Sequence, residues 1–240
     1  MKHVTIIVAM EQEAAPLIDD LRLTAVPMHD PCLPCRAYRG LYENLELTLV
    51  INGKDPIHDV QNIGTQPATL TALEAIRFSK PDLIINAGTC GAFASKGSDI
   101  GTVYIGERIR FFDRRVFMKN YTAYGEGHYG APEAIALARA LNLPTAVVCT
   151  GSSMDMTATD EAILQKEPVV TKEMEAASIA WVASFYKIPV VAMKSVTNLV
   201  DTPSDTVEAF HANLNFASQQ LKAKMLDLLV LLNDRVVLLT

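Results

Sequence analysis

Residues 172–201 read KEMEAASIAWVASFYKIPVVAMKSVTNLVD, and the fold class is read outward from this stretch. In its middle, AASIAWVASFY places Ala, Ile, Trp, Val and Phe so as to suit a buried helix of about eleven residues, near the average length. After Lys187 the run Ile188 to Met193 reads as a buried strand. That strand ends in Lys194 to Asp201, whose polar side chains face whatever lies beyond the sheet. In an open α/β sheet, ligands bind at such strand ends. Glu173 and Glu175 flank Met174 just before the helix. Carboxylates at a helix start gain from its dipole, the bland alternative to a site role for Glu173. Glu175 sits closer to apolar neighbours, where an unpaired charge is costly.

The same strand, polar end and helix recur along the chain. Val4 to Ala9 is a β-branched run that stops at Met10, Glu11, Gln12 and Glu13, after which AAPLIDDL continues as a helix. Residues 24–36 read as a loop, Leu45 to Ile51 as a strand, and Val60 to Phe78 as a helix that starts late or kinks at Pro67. Leu83 to Ile85 form a strand expected to stop at Asn86, because the following Ala-Gly-Thr-Cys-Gly is too small and flexible to pack. There Gly88 and Gly91 let a backbone come close to a ligand, with the hydroxyl of Thr89 between them. The glycines lack both common nucleotide-loop spacings. Cys90 has no histidine near it in sequence and reads as a packing residue. Further on come a strand over Ile100 to Ile109, an aromatic-rich loop over Phe111 to Tyr129, a helix over Ala131 to Leu141 and a strand over Thr145 to Cys149. The aromatic loop is either a cover over an apolar ligand or part of an oligomer contact. The loop TGSSMDM follows at residues 150–156, and a long helix over Pro203 to Asp234 carries Leu221, Met225, Leu228, Leu229 and Leu232 on one side. This alternation predicts a layered α/β domain.

Composition narrows the function. With 50% hydrophobic and 20% charged residues, 240 residues suffice for a substantial core. A net charge of −6, without any Lys/Arg stripe, argues against nucleic acid as a partner. No run of about twenty apolar residues exists to span a membrane, and MKHVTIIVAM reads as a first strand rather than a secretion signal. The cytoplasm is the expected location. Cys32 and Cys35 form a lone CxxC, expected to be an incidental loop feature.

Four strand-end segments have now supplied polar groups: AMEQE, NAGTCG, TGSSMDM, and KEMEA with KSVTNLVD. In this order they resemble the methylthioadenosine and adenosylhomocysteine nucleosidases of the purine nucleoside phosphorylase-like superfamily, the plant type most closely. The resemblance runs from Val4 to about Phe210. It implies one domain over residues 1–240, three layers deep, with a mixed central sheet flanked by helices. It also implies a hydrolase of methionine salvage without metal or cofactor, taking a small nucleoside. Glu13 matches the acid that activates the attacking water, and Thr89 the hydroxyl beside it. Glu173, Met174 and Glu175 match the ribose side, with Glu175 gripping the 2′ and 3′ hydroxyls, and Lys194 stands where bacterial members carry Arg. Met154 would lie against the purine, Asp155 would offer its main chain to the base, Gly91 would let the backbone approach, and Met10 would line the alkylthio pocket. A homodimer is implied, with the partner completing that pocket from about residues 111–132; Val116 and Tyr124 are the candidates.

One departure concerns the chemistry itself. The family carries an aspartate that protonates the purine where this chain has Asn198, and Ser152 replaces another usual aspartate. An amide donates a hydrogen bond but cannot hand over a proton. Asn198 is compatible with an engineered Asp-to-Asn change, a shift towards 6-oxopurine nucleosides, or a relative that binds without cleaving.

Overall fold

The structure is a computed structural model that describes residues 2–130, 132–203 and 206–238. The elements run β1 (His3–Val8), α1 (Glu11–Asp20), β2 (Thr24–Val26), β3 (Arg36–Tyr42), β4 (Leu45–Ile51) and α2 (Thr65–Ser79). They continue with β5 (Leu83–Ala92), β6 (Val103–Phe111), α3 (Tyr121–Glu126), α4 (Ala134–Ala140), β7 (Thr145–Thr150) and α5 (Ala158–Leu164). The chain closes with β8 (Val170–Glu173), α6 (Ala176–Tyr186), β9 (Val190–Leu199) and α7 (Thr206–Leu238). The expected mixed sheet between helices is present.

Its strands follow the order β2-β3-β4-β1-β5-β8-β7-β6-β9, and β9 also pairs with β5. The second half therefore closes on itself as a ring of β5, β8, β7, β6 and β9, while β1 to β4 form an open arm. Strand β5 belongs to both. β9 runs along one of its edges from Ile84 to Ala92. The opposite edge is shared: β1 takes Leu83 to Asn86, and β8 takes Gly91 and Ala92. Between these two partners, Ala87 to Cys90 have no strand on that edge. The fold thus opens a crevice at the fork where β1 and β8 part.

Both faces of the sheet are covered, so the inner strands are apolar almost throughout. On β1, Val4, Ile6 and Val8 enter one core with Leu17 of α1, Leu137 of α4 and the α7 residues Leu221, Met225, Leu228, Leu229 and Leu232. Ile7 faces the other way, towards Ala68, Ala72 and Ile76 of α2 and Ile179 and Val182 of α6. Thr5 shares that second face, and its hydroxyl meets that of Ser79 at 2.8 Å.

Helix α6 has the eleven residues AASIAWVASFY, and β4 is Leu45–Ile51, both as the pattern predicts. Pro67 lies in the first turn of α2, so the helix starts late and does not kink. Other expectations are corrected. β5 does not stop at Asn86, because pairing with β9 carries it through the glycines, with an irregularity at Cys90/Gly91. β9 likewise continues past Met193 to Leu199, held by β5 and β6. Residues 24–36 include β2, which pairs with an unforeseen β3. The aromatic loop contains α3, and α5 and β8 also lie where no element was read. Ala131, placed in the α4 reading, and Ser204 and Asp205, placed in the α7 reading, lie outside the described residues.

Candidate active site

The crevice holds a cavity of about 310 Å³. One end is acidic. Glu13, on the first turn of α1, is 3% exposed, and its Oε1 accepts from the Thr89 backbone N–H at 2.7 Å and the Thr89 hydroxyl at 2.6 Å. The unpaired edge of β5 leaves that N–H available. Oε2 accepts from the Met10 N–H at 3.3 Å, which fixes the carboxylate at the β1–α1 junction. Gly88 explains the close assembly: a Cβ there would lie 3.4 Å from Glu13 Oε1 and 3.5 Å from Lys194 Nζ. A side chain larger than a methyl would reach both charged groups.

Lys194 faces Gly88 across the β5–β9 ladder and is 1% exposed. Its ammonium lies 2.7 Å from Glu173 Oε2. Burial works against this charge, but Glu173, Glu175 and Glu13 together hold its pKa above the ordinary lysine value. Glu173 is saturated by the fold. It accepts from the Glu175 N–H at 3.1 Å, from the Ala176 N–H at 2.9 Å and from the Thr150 hydroxyl, capping α6. Charge complementarity at the helix start is therefore its visible role. Removing Lys194 would leave this carboxylate buried without its counter-ion, the costly way to break such a pair.

Glu175 is different. Its Oε1 accepts from the Gly64 N–H at 2.8 Å, while the side chain lines the cavity. Burial, reinforced by Glu173 and Glu13, pushes its carboxyl up from 4.5 to about 7, against the pull of Lys194. A carboxyl raised in the folded state contributes stability that is fully present below 4.5 and lost as pH rises through about 7. Glu175→Gln keeps an acceptor for Gly64 and removes the buried charge. We expect this variant to melt several degrees above the parent at pH 8 and level with it at pH 4.5, by thermal unfolding across pH.

The other end is less charged. Asn198 on β9 is 5% exposed and lies beside Gly91, where a Cβ would come within 3.1 Å of its amide nitrogen and 2.6 Å of Val200 Cγ1. Asn198 Oδ1 is 3.0 Å from the Thr197 hydroxyl. Met154 reaches the cavity from the loop after β7, and Lys172 enters from β8. Met10, Ile63, Met174, Val207 and Phe210 complete an apolar wall. The Cys90 thiol, also on the wall, is raised by burial beyond the thiol range, so it stays protonated and is no nucleophile.

The fold thus brings together Met10, Glu13, Thr89, Gly91, Met154, Glu173, Met174, Glu175, Lys194 and Asn198. It does not bring Asp155, which is exposed outside the cavity wall. Val116 and Tyr124 are also exposed outside it, with Tyr124 on a separate hollow beside Thr65, Ser152 and Trp181. The sequence reading missed Lys172, Thr197, Gln61 and Ile63. Lys172 belongs to a four-residue strand, VTKE, that carries no apolar run. Cys32 and Cys35 are both free thiols, the first exposed and the second buried. Among the described residues no cluster of three or more His, Cys, Asp or Glu could hold a metal, and no helix is long and apolar enough to cross a membrane.

The family model for the phosphorylase superfamily matches residues 3–230. The chain is 37% identical over 238 residues to a 5′-methylthioadenosine nucleosidase of Arabidopsis thaliana, covering 98% of this chain and 89% of the relative. It is 38% identical over 216 residues to a 5′-methylthioadenosine/S-adenosylhomocysteine nucleosidase of the same plant, covering 88% and 84%. The solved structure of Arabidopsis thaliana 5′-methylthioadenosine nucleosidase in apo form matches with a TM-score of 0.94 at 35% identity, over 97% of this chain and 96% of that one. The chain therefore belongs to the phosphorylase superfamily and, within it, to the family of the 5′-methylthioadenosine nucleosidases.

Proposed function

We propose that this protein hydrolyses the N-glycosidic bond of 5′-methylthioadenosine, giving adenine and 5-methylthioribose. The observation that carries the reading is the geometry around Gly88, where Glu13 is fixed by Thr89 and Met10 while Glu175 and Lys194 close the same end. Bond breaking builds positive charge on the ribose and negative charge on the purine. Carboxylates on the ribose side stabilise the first, and a proton donor on the base side stabilises the second. In this reading Glu13 takes a proton from the attacking water, and Glu175 holds the ribose hydroxyls. A phosphate dianion is disfavoured as nucleophile next to Glu13 and Glu175, so water is the attacking group.

The purine lies between Met154 and Asn198, and the methylthio group meets Met10, Ile63, Val207 and Phe210. An apolar wall of Met10, Ile63, Val207 and Phe210 favours methylthio over the charged tail of adenosylhomocysteine. The working form in this proposal is a cytoplasmic homodimer. Exposed Phe117 and Met118, 86% and 56% accessible in one chain, support a partner surface near residues 111–132. Val116 and Tyr124, exposed in the same region, are then available to a second copy.

The test is base release from 5′-methylthioadenosine and from inosine by the protein as it stands. Adenine from the first at a rate well above hypoxanthine from the second is expected. Preferential cleavage of inosine would overturn the substrate and make Asn198 a reader of 6-oxopurines.

A further inference from the structure

The reaction needs a proton at the departing purine, and Asn198 has none to give. We propose that Lys172 supplies it, acting as the general acid of this chain from the opposite flank of Gly91. The inference rests on the N-glycosidase reading above.

Three observations carry it. Strand β5 places Gly91 opposite Lys172 on β8 and opposite Asn198 on β9. The two residues therefore stand at one level of the sheet, with a glycine and no side chain between them. Both line the cavity, and Lys172 is only 6% exposed. Its Nζ donates to the Ser153 carbonyl at 2.6 Å and the Met154 carbonyl at 3.0 Å, in the loop that presents Met154 to the cavity. An ammonium has three N–H donors. Among the described residues no third acceptor is found, so one N–H is free for a ligand.

The surroundings suit proton release. Phe112 lies 5.8 Å from Nζ, and burial lowers the lysine pKa. Asp155, Asp160, Asp113 and Glu173 face it and oppose that shift without cancelling it. Two of these acids have other partners: Asp160 pairs with Arg115 at 2.6 Å, and Asp113 accepts from the Ser152 N–H at 2.7 Å. Cys90 cannot compete as an acid because burial raises its thiol. His211 also lines the cavity, but it is exposed and comes from α7, not from a strand beside Gly91.

As the bond between C1′ and the purine breaks, its electron pair passes to the base, and an N–H proton of Lys172 moves to a purine ring nitrogen. Water adds at C1′ and gives its proton to Glu13. Solvent then reprotonates the neutral amine and takes the proton from Glu13, so one water is consumed.

The experiment compares Lys172→Met and Lys172→Arg, each in the parent and in the Asn198→Asp background, by kcat for adenine release from 5′-methylthioadenosine. In the parent, both changes should lower kcat by ~10²-fold, since arginine keeps the charge and donors but does not deprotonate. Where Asn198→Asp supplies another acid, the same changes should cost less than about 5-fold, because the two acids do not add. The parent kcat should also fall at high pH with a midpoint below the ordinary lysine range, and this limb should vanish in Asn198→Asp. Equal losses in both backgrounds, full activity of Lys172→Arg in the parent, or no loss on Lys172→Met would overturn the proposal. An active Asn198→Asp protein beside an inactive parent would overturn it alone. Silence of both would overturn the nucleosidase reading as well.

Discussion

Replacing Asn198 by aspartate is expected to raise the rate of adenine release from 5′-methylthioadenosine by on the order of 10²-fold. The amide sits at the base end of the cavity, 5% exposed beside Gly91, where a carboxyl would be desolvated and therefore inclined to hold a proton. The Thr197 hydroxyl, 3.0 Å from Oδ1, can donate to a carboxylate as readily as to an amide, so the geometry tolerates the change. The expected gain lies at the lower end of the general-acid range because Lys172 already serves as a slower donor. Steady-state release of adenine by the two proteins checks this. An unchanged rate would mean that proton delivery does not limit turnover.

Glu13→Gln should have an equally large effect in the opposite direction. The amide keeps the size of the side chain and one acceptor for Thr89, but it turns an N–H₂ towards the Met10 N–H and can no longer take a proton from water. In the Asn198→Asp background, kcat should fall by ~10² to 10⁴-fold, or about 3 to 5 kcal/mol of barrier. KM should change by no more than a few-fold, since the cavity walls that meet the purine and the methylthio group are untouched. A large rise in KM with kcat retained would make Glu13 a binding group and move water activation elsewhere.

What was legible in the sequence was whatever short-range pattern controls. The apolar period of AASIAWVASFY and the side of α7 carrying Leu221, Met225 and Leu228 depend on neighbours three and four residues away. The polar ends of β5 and β9 were read as loops, because Gly88, Gly91, Lys194 and Asn198 carry no strand preference of their own. They are strand only because the ring closes, and ring closure is a contact between distant segments. Residues of the acidic end could be found from their type, since Glu13 and Glu175 sit in apolar surroundings. Lys172 could not, because a lysine in VTKE looks like any solvated residue until Gly91 is placed beside it. Asp155, Val116 and Tyr124 were named through family likeness, and one chain leaves all three outside its cavity.

The central claim, that water cleaves 5′-methylthioadenosine at this site, is tested most directly by turning the nucleoside over in phosphate-free buffer made with oxygen-18 water and analysing the sugar product. Adenine together with 5-methylthioribose carrying the heavy oxygen at C1 is the predicted result, from the parent slowly and from Asn198→Asp faster. A requirement for phosphate with a sugar 1-phosphate as product, or no adenine from either protein, would contradict it.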